Sequence, residues 1–123
     1  MENGKKNIVQ EKSFAFALRI IKLSKFLQKQ NKEFVLSKQI LRSGTAVGAL
    51  IKEAEHAQSK ADFINKMSIA LKEANETDYW IELLYQSSEL SEEAYHSIHP
   101  EIQELIKLLV SIVKSSKVSS SKN

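Results

Sequence analysis

The 123-residue sequence contains no cysteine, one proline and three glycines. Without cysteine, the chain forms no disulfide and offers no thiolate to a metal ion or to a covalent reaction intermediate. The low proline and glycine contents disfavour a turn-rich β fold. A composition of 42% hydrophobic and 27% charged residues is typical of one globular domain. We therefore expect an all-α protein.

Long hydrophobic runs are also missing. The most apolar segment, LIKLLVSIV at residues 105–113, has nine residues and includes Lys107. A membrane-spanning helix needs about 20 apolar residues. The first residues, MENGKKNIVQEKS, lack the apolar segment of a signal peptide. These observations predict a cytoplasmic protein with no membrane partner.

Charge is unevenly distributed along the chain. Residues 1–60 contain twelve basic and five acidic residues, a net +7, whereas residues 61–104 contain two and ten, a net −8. Three interpretations remain open: a basic surface for polyanions, an acidic surface for a basic neighbour, or two solvated faces that neutralise each other.

Apolar residues recur at helical spacing in four long segments. The predicted helices cover residues 13–30, 37–57, 59–88 and 100–116, with a short segment capped by Ser91 before a break at Pro100. The very short connection between the second and third predicted helices makes these two an antiparallel hairpin. We predict a four-helix bundle over residues 13–117, between an N-terminal extension (residues 1–12) and a disordered tail (residues 118–123).

Each long segment has one apolar stripe that predicts a core-facing side. The predicted core residues are Phe16, Ile20, Leu23, Leu27, Ile40, Gly44, Val47, Ile51, Ala54, Phe63, Met67, Ala70, Ala74, Thr77, Ile81, Leu84, Ile102, Leu105, Leu109 and Ile112. The first and last helices carry a second stripe, formed by Phe14, Leu18 and Ile21 and by Ile106, Val110 and Val113. Because a surface helix of a monomer needs only one stripe, the second stripes predict self-association.

Two glycines, Gly44 and Gly48, lie one turn apart in the second predicted helix. Each costs a helix about 1 kcal/mol relative to alanine. No strand precedes them and no phosphate-loop pattern surrounds them. We therefore interpret them as a packing seam that another helix approaches closely.

Arg42 precedes this seam by half a turn, and the third helix carries acids at Glu73, Glu76 and Asp78. We predict structural ion pairs between Arg42 and the acids Glu73 and Glu76. The alternative is that Arg42 is an ordinary solvated charge.

Basic residues cluster on the first helix and at the start of the second. We predict that these residues contact nucleic-acid phosphates: Arg19, Lys22, Lys25, Lys29, Lys38 and Arg42. The alternative is a solvated charged face.

Metal and catalytic sites have weaker support. Glu53 with His56, and Glu93 with His96, have the E-x-x-H spacing of di-iron bundles. However, the first predicted helix offers no internal carboxylate, and both pairs lie near helix ends. The histidines, including His99, are expected to be solvated or capping groups, and no serine is marked as an activated nucleophile. We predict no catalytic residue, no metal and no cofactor.

The stretch LRSGTAVGALIKEAEHAQSKADFINKMSIALKEANETDYWIELL, residues 41–84, resembles the family of proteins encoded in intervening sequences of bacterial 23S ribosomal RNA. The most specific motifs are RSGT with Gly48 and Glu53, then Asp62–Phe63, Lys66, ALKEANET and Tyr79–Trp80.

This resemblance implies that the subunit is an up-down four-helix bundle and that it assembles into a homopentameric ring. The family also includes accessory variability proteins of diversity-generating retroelements, which are similar basic pentamers. By analogy, the protein would be a non-enzymatic accessory factor whose partners are RNA or DNA and a reverse transcriptase or another protein. A different class remains open, in which the ring is a scaffold that binds a protein without nucleic acid.

Overall fold

The computed structural model describes residues 2–121, apart from the side chains of residues 2, 3, 5, 6, 120 and 121. Within this range the chain forms four α-helices and no strand. The helices are α1 (Glu2–Gln30), α2 (Leu36–Glu55), α3 (Lys60–Gln86) and α4 (Glu92–Ser121). The predicted all-α fold is confirmed. In the described part of the chain, no helix has both the length and the hydropathy of a membrane span.

The helices pack in chain order around one core. Each contacts the next, and α4 returns to contact α1. Along α1 and α4 the contacts run in opposite directions, because Lys12 pairs with Glu104 whereas Arg19 pairs with Glu101. The other neighbouring pairs are antiparallel in the same way, since short connections join them. The chain is therefore an up-down four-helix bundle.

All four helices contribute large side chains to the core. The fully buried ones include Phe16, Ile20, Leu27, Ile40, Val47, Met67, Ile81, Leu84, Ile102, Leu105 and Leu109. Burial of each such side chain stabilises the fold by about 1.5–3 kcal/mol. The predicted core stripes are confirmed except at Leu23 and Phe63, which are half-buried against the core.

Both ends of the chain are more helical than expected. α1 begins at Glu2, so it covers residues 2–12 of the expected extension, and α4 continues through Ser121 of the expected tail. Val9 and Ser116 are buried, and both line a space at this end of the bundle. Their packing supports helical turns that have weak local signals. Residues 1, 122 and 123 lie outside the described range.

Pro100 does not end a helix, contrary to the sequence prediction. It lies inside α4, which is continuous from Glu92. An interior proline costs about 3 kcal/mol because it lacks the N–H donor and crowds the preceding turn. Ile98 and Ile102, on either side of Pro100, are both buried. Their packing keeps both turns against the core.

The second apolar stripe of α4 is mostly covered within the bundle. Val113 is buried and Ile106 packs against the core, which leaves Val110 exposed. The expectation that this stripe needs a partner is therefore wrong for two of its three residues. The sequence pattern could not show that the neighbouring helices cover so wide a face.

The start of α2 is capped by Glu33 and not by Ser37 as predicted. The Glu33 carboxylate accepts backbone N–H bonds from Val35, Leu36 and Ser37 at 3.2, 3.0 and 2.7 Å. The buried Ser37 hydroxyl instead donates to the Glu33 carbonyl at 2.7 Å. Burial raises the pKa of Glu33, but the backbone N–H donors outweigh burial and hold the pKa of this carboxyl below its usual value.

Glu33→Gln is expected to lower the free energy of unfolding at pH 7 by about 1 kcal/mol, the usual loss when a helix cap is removed. Because the folded-state pKa is lowered, the Glu33 contribution is complete above pH 4.5 and is lost as the pH falls through the folded value. Urea unfolding at pH 7 and at about pH 3 tests this, with the exposed Glu11→Gln as control. An equal loss at both pH values would contradict it.

Candidate nucleic-acid interface

Four lysines form the basic surface, defined as Lys22, Lys25, Lys29 and Lys38. The first three share the outward side of α1, because they are separated by three and four residues along the helix. The Ser24 hydroxyl donates to the Ser37 carbonyl at 3.0 Å, which holds Lys38 beside the second half of α1. All four lysines are exposed, and none has an ion pair within the described part of the chain. The structure therefore brings four of the six predicted phosphate-binding residues together as free cations.

Arg19 differs from these lysines because it joins α1 to α4. Its Nη1 lies 2.6 Å from the Glu101 Oε2 and donates to the Ser97 carbonyl at 3.2 Å. Its Nη2 donates to the Ser97 hydroxyl at 3.0 Å. These contacts hold the guanidinium against α4, so Arg19 is a structural link between helices.

Arg42 is also engaged, and it contacts the two acids proposed from the sequence. Its Nη1 lies 3.1 Å from the Glu73 Oε1, and its Nη2 donates to Glu76. Trp80 Nε1 donates to the same Glu76 oxygen at 3.0 Å. Hydrogen bonds from Trp80 and Arg42 hold the pKa of Glu76 below its usual value, while the bond to Glu76 raises the pKa of Arg42. Arg42 thus contacts two carboxylates on the α2–α3 face.

A buried hydroxyl pair supports this α2–α3 contact from inside. The Thr77 and Ser43 hydroxyls are hydrogen-bonded to each other at 2.9 Å, the Thr77 hydroxyl lies 2.8 Å from the Glu73 carbonyl oxygen, and the Thr77 and Ser43 side chains are both buried. The helical spacing predicts Thr77 as a core residue but does not predict its partner Ser43, because serine is not an apolar residue. A satisfied polar pair in a core fixes the register of the two helices.

The two glycines lie where α2 approaches α1. A Cβ on Gly44 would be 2.9 Å from both the Cγ1 and the Cγ2 of Ile20, which is too close for carbon atoms. A Cβ on Gly48 would be 3.4 Å from the Ser13 carbonyl oxygen, an ordinary contact. Close approach therefore depends on Gly44 much more than on Gly48.

An apolar groove lies between α1 and α2 on the outer surface. It encloses about 780 Å³. Its apolar lining comes from Phe14, Ala17, Ile21, Gly48 and Ala49. Phe14 is 67% exposed and the neighbouring Leu18 is 49% exposed. The second stripe of α1 therefore remains largely uncovered by its own chain, unlike that of α4.

Two further aromatic side chains lie in the open near the basic surface. Phe26 on α1 is 48% exposed, and Phe34 in the connection to α2 is 50% exposed. Sequence interpretation missed both as site residues. Helical spacing could have identified Phe26, because this residue lies outside the core stripe of α1 and one helical turn from Lys22.

The α3–α4 face carries an acidic and aromatic cluster. Tyr95 stacks between Tyr85 and His99, with ring centroids 4.0 and 4.7 Å away. The Tyr95 hydroxyl donates to the Glu82 Oε1 at 2.7 Å, which with burial raises the pKa of Tyr95 to about 12. His99 Nε2 lies 3.2 Å from the Asp78 Oδ1. His99 is thus half-buried inside α4, and the expectation of a histidine near a helix end is wrong for it.

The candidate metal pairs lie on the outside of the bundle. Glu53, His56, Glu93 and His96 are all exposed, near one end of α2 or of α4. Glu53 is 3.4 Å from the ammonium group of Lys66. No group of three or more potential metal ligands occurs among the side chains that the structure describes.

The fold can be compared with known proteins. A crystal structure of a protein of unknown function from the S23 ribosomal protein family of Bacteroides thetaiotaomicron VPI-5482 is similar to this chain. The two are 60% identical with a TM-score of 0.88, over 89% of this chain and 98% of that one. Comparison with curated proteins finds no match. The family model for the 23S rRNA-intervening sequence protein matches residues 5–111, and over this span the chain belongs to that family.

Proposed function

We propose that the protein is a non-enzymatic nucleic-acid-binding factor that acts in the cytoplasm, with RNA as the preferred ligand. The observation that carries the proposal is the basic surface, where four exposed lysines have no carboxylate partner in the described chain. The family description, which names a ribosomal RNA intervening sequence, supports RNA as the polyanion.

The chemistry of this surface is electrostatic. An ammonium group is a point charge that neutralises a phosphate and releases its counterions. Lysine contacts to phosphates position a nucleic acid without reading its sequence. Arg19 and Arg42 contribute little, because each already pairs with carboxylates. The site is therefore smaller than the sequence implied.

Self-association of the chain is the second part of the proposal. Phe14 in the groove between α1 and α2 and the neighbouring Leu18 on α1 are uncovered, and a second copy of this chain would bury them. Assembly would also bring several basic surfaces together and increase the charge offered to one RNA. The resemblance to ring-forming relatives favours a homopentamer.

A protein-interaction scaffold is the other candidate function. The same groove favours it, because an apolar surface of this kind also suits a protein partner such as a reverse transcriptase. Affinity capture after nuclease treatment separates the two candidates. A partner retained at equal yield without nucleic acid favours the scaffold, whereas loss of the partner favours the nucleic-acid-binding factor.

The direct test of nucleic-acid binding is a fluorescence titration with RNA and DNA strands at several salt concentrations. With four lysine–phosphate contacts to a single strand, the logarithm of the binding constant should fall with the logarithm of salt with a slope of about −3. Absence of binding at low salt, or a flat salt dependence, would contradict the proposal.

Self-association gives a separate prediction. Light scattering of the wild-type chain at micromolar concentration should report an oligomer, and Phe14→Glu should shift the mass towards one subunit, because a carboxylate would be buried in the interface. Tyr79→Glu, which also replaces an exposed aromatic side chain with a carboxylate but lies on α3, serves as the control. A monomeric wild type would refute the role of the groove.

A further inference from the structure

Three large apolar side chains are exposed to solvent at the end of the bundle near the basic surface. Phe26 and Phe34 are each about half exposed, and Val35 is 70% exposed. Lysines precede and follow both rings in the chain, namely Lys22, Lys25, Lys29, Lys32 and Lys38, and all five are exposed. This combination of flat rings and free cations suits an unpaired nucleotide, because its base can stack on a ring and its phosphate can contact a lysine.

The helix geometry places cations on either side of the first ring. Lys22 is four residues before Phe26 and Lys29 is three residues after it, so both lie one turn away on the same side of α1. From Lys22 to Lys29 the helix rises by about 10 Å. A strand lying along this part of α1 can therefore place phosphates near the lysines and a base near the ring.

The second ring is held at the same end by backbone contacts. The Glu33 N–H donates to the Leu27 carbonyl at 2.9 Å, which folds the connection back on the last turn of α1. Phe34 follows directly. The backbone at Lys32 has a φ of 55°, which helps this sharp reversal. Phe34 is therefore fixed at the end of α1 on which the basic surface lies.

The acids close to this surface are already occupied. The Glu33 carboxylate accepts three backbone N–H bonds at the start of α2. Glu89 lies in the connection between α3 and α4, and its carboxylate and its backbone carbonyl each accept one bond from the Asn31 side-chain amide, both at 3.0 Å. These bonds stabilise the two carboxylates within the fold and reduce their competition for the lysines.

We propose that the basic surface together with Phe26 and Phe34 selects single-stranded nucleic acid, with phosphates on the lysines and unpaired bases stacked on the two phenyl rings. This inference rests on the proposed function, because it specifies the form of nucleic acid that the same surface binds. A duplex keeps its bases stacked inside, so it engages the lysines alone. A single strand engages the lysines and the rings.

The test compares a single-stranded RNA with a duplex that carries the same number of phosphates, each containing one 2-aminopurine as a fluorescent base. Wild type should bind the single strand at least tenfold more tightly and quench the 2-aminopurine by stacking. The double substitution of Phe26→Leu and Phe34→Leu keeps the apolar character but removes the rings. It should weaken single-strand binding by about 5-fold to 150-fold per lost stack and leave duplex binding and the salt slope unchanged.

Tyr79→Leu is the matched control, because it removes an exposed aromatic ring from α3, away from the basic surface. Its binding should equal that of wild type. Both phenylalanines are half exposed, so the thermal unfolding midpoint of the double variant should stay near that of wild type. Equal affinity for single strand and duplex, or an unchanged affinity in the double variant, would overturn the inference and leave the proposed function intact. Failure of wild type to bind either RNA would overturn both.

Discussion

Replacing Lys22, Lys25, Lys29 and Lys38 with glutamine is expected to reduce RNA affinity more than tenfold at 0.1 M salt and to flatten the salt dependence. Each lost lysine–phosphate contact to a single strand lowers the magnitude of the slope by about 0.7, so the four together remove about 3 from it. The helical fold should be unchanged, because all four side chains are exposed and none is paired in the described chain.

The control for this variant must change the net charge by the same amount. Four other exposed lysines serve that purpose: Lys60, Lys72, Lys107 and Lys114. They lie on α3 and α4, away from the basic surface. If binding depends on the surface, this control keeps most of the affinity and the slope. Equal losses in the two quadruple variants would show that only net charge matters and would refute the assignment of the surface.

Gly44→Ala is expected to destabilise the fold, whereas Gly48→Ala is expected to leave it unchanged or stabilise it. A Cβ at Gly44 would press on Ile20, whose contacted atoms are the Cβ and the two carbons attached to it and cannot move away freely. Overpacking of this kind costs about 1–3 kcal/mol. At Gly48 the nearest atom is 3.4 Å away, so the helix propensity gain of up to about 1 kcal/mol is retained.

Urea unfolding of both alanine variants measures this difference, and each variant is the control for the other because the chemical change is identical. Ile20→Ala removes both Cγ atoms from the crowded side, so adding Gly44→Ala to Ile20→Ala should cost less free energy of unfolding than adding it to the wild type. Equal free energies of unfolding for the two single variants would show that the close approach of α2 to α1 does not depend on Gly44.

The general architecture could be read from local sequence patterns. The core stripe of α2, from Ile40 to Ala54, is buried as its spacing predicts. Ser59 caps α3 by accepting the Asp62 N–H at 3.0 Å, and Ser91 caps α4 by accepting the Ala94 N–H at 3.1 Å. These features depend on residues within one or two turns of each other, which is the range over which helical periodicity and capping act.

The errors at Pro100 and at the helix ends have a common cause. A proline and a weakly patterned chain end both disfavour a helix, and each would destabilise that helix in isolation. In the bundle, burial of Ile98 and Ile102 near the proline and of Val9 near the start of α1 supplies a larger opposing free energy. Local sequence contains the first contribution but not the second.

The basic residues of the candidate site also separate what the local sequence determines from what tertiary contacts decide. By itself, the sequence determined that four amphipathic helices form, that positive charge concentrates in residues 1–60 and that two small glycines mark a packing surface. It could not distinguish a free cation from a paired one. Arg19 pairs with Glu101, 82 positions away, and Arg42 pairs with Glu73, 31 positions away. Only the tertiary structure brings such distant groups together, and it shows that Lys22, Lys25 and Lys29 are exposed lysines of α1 with no ion pair in the described part of the chain.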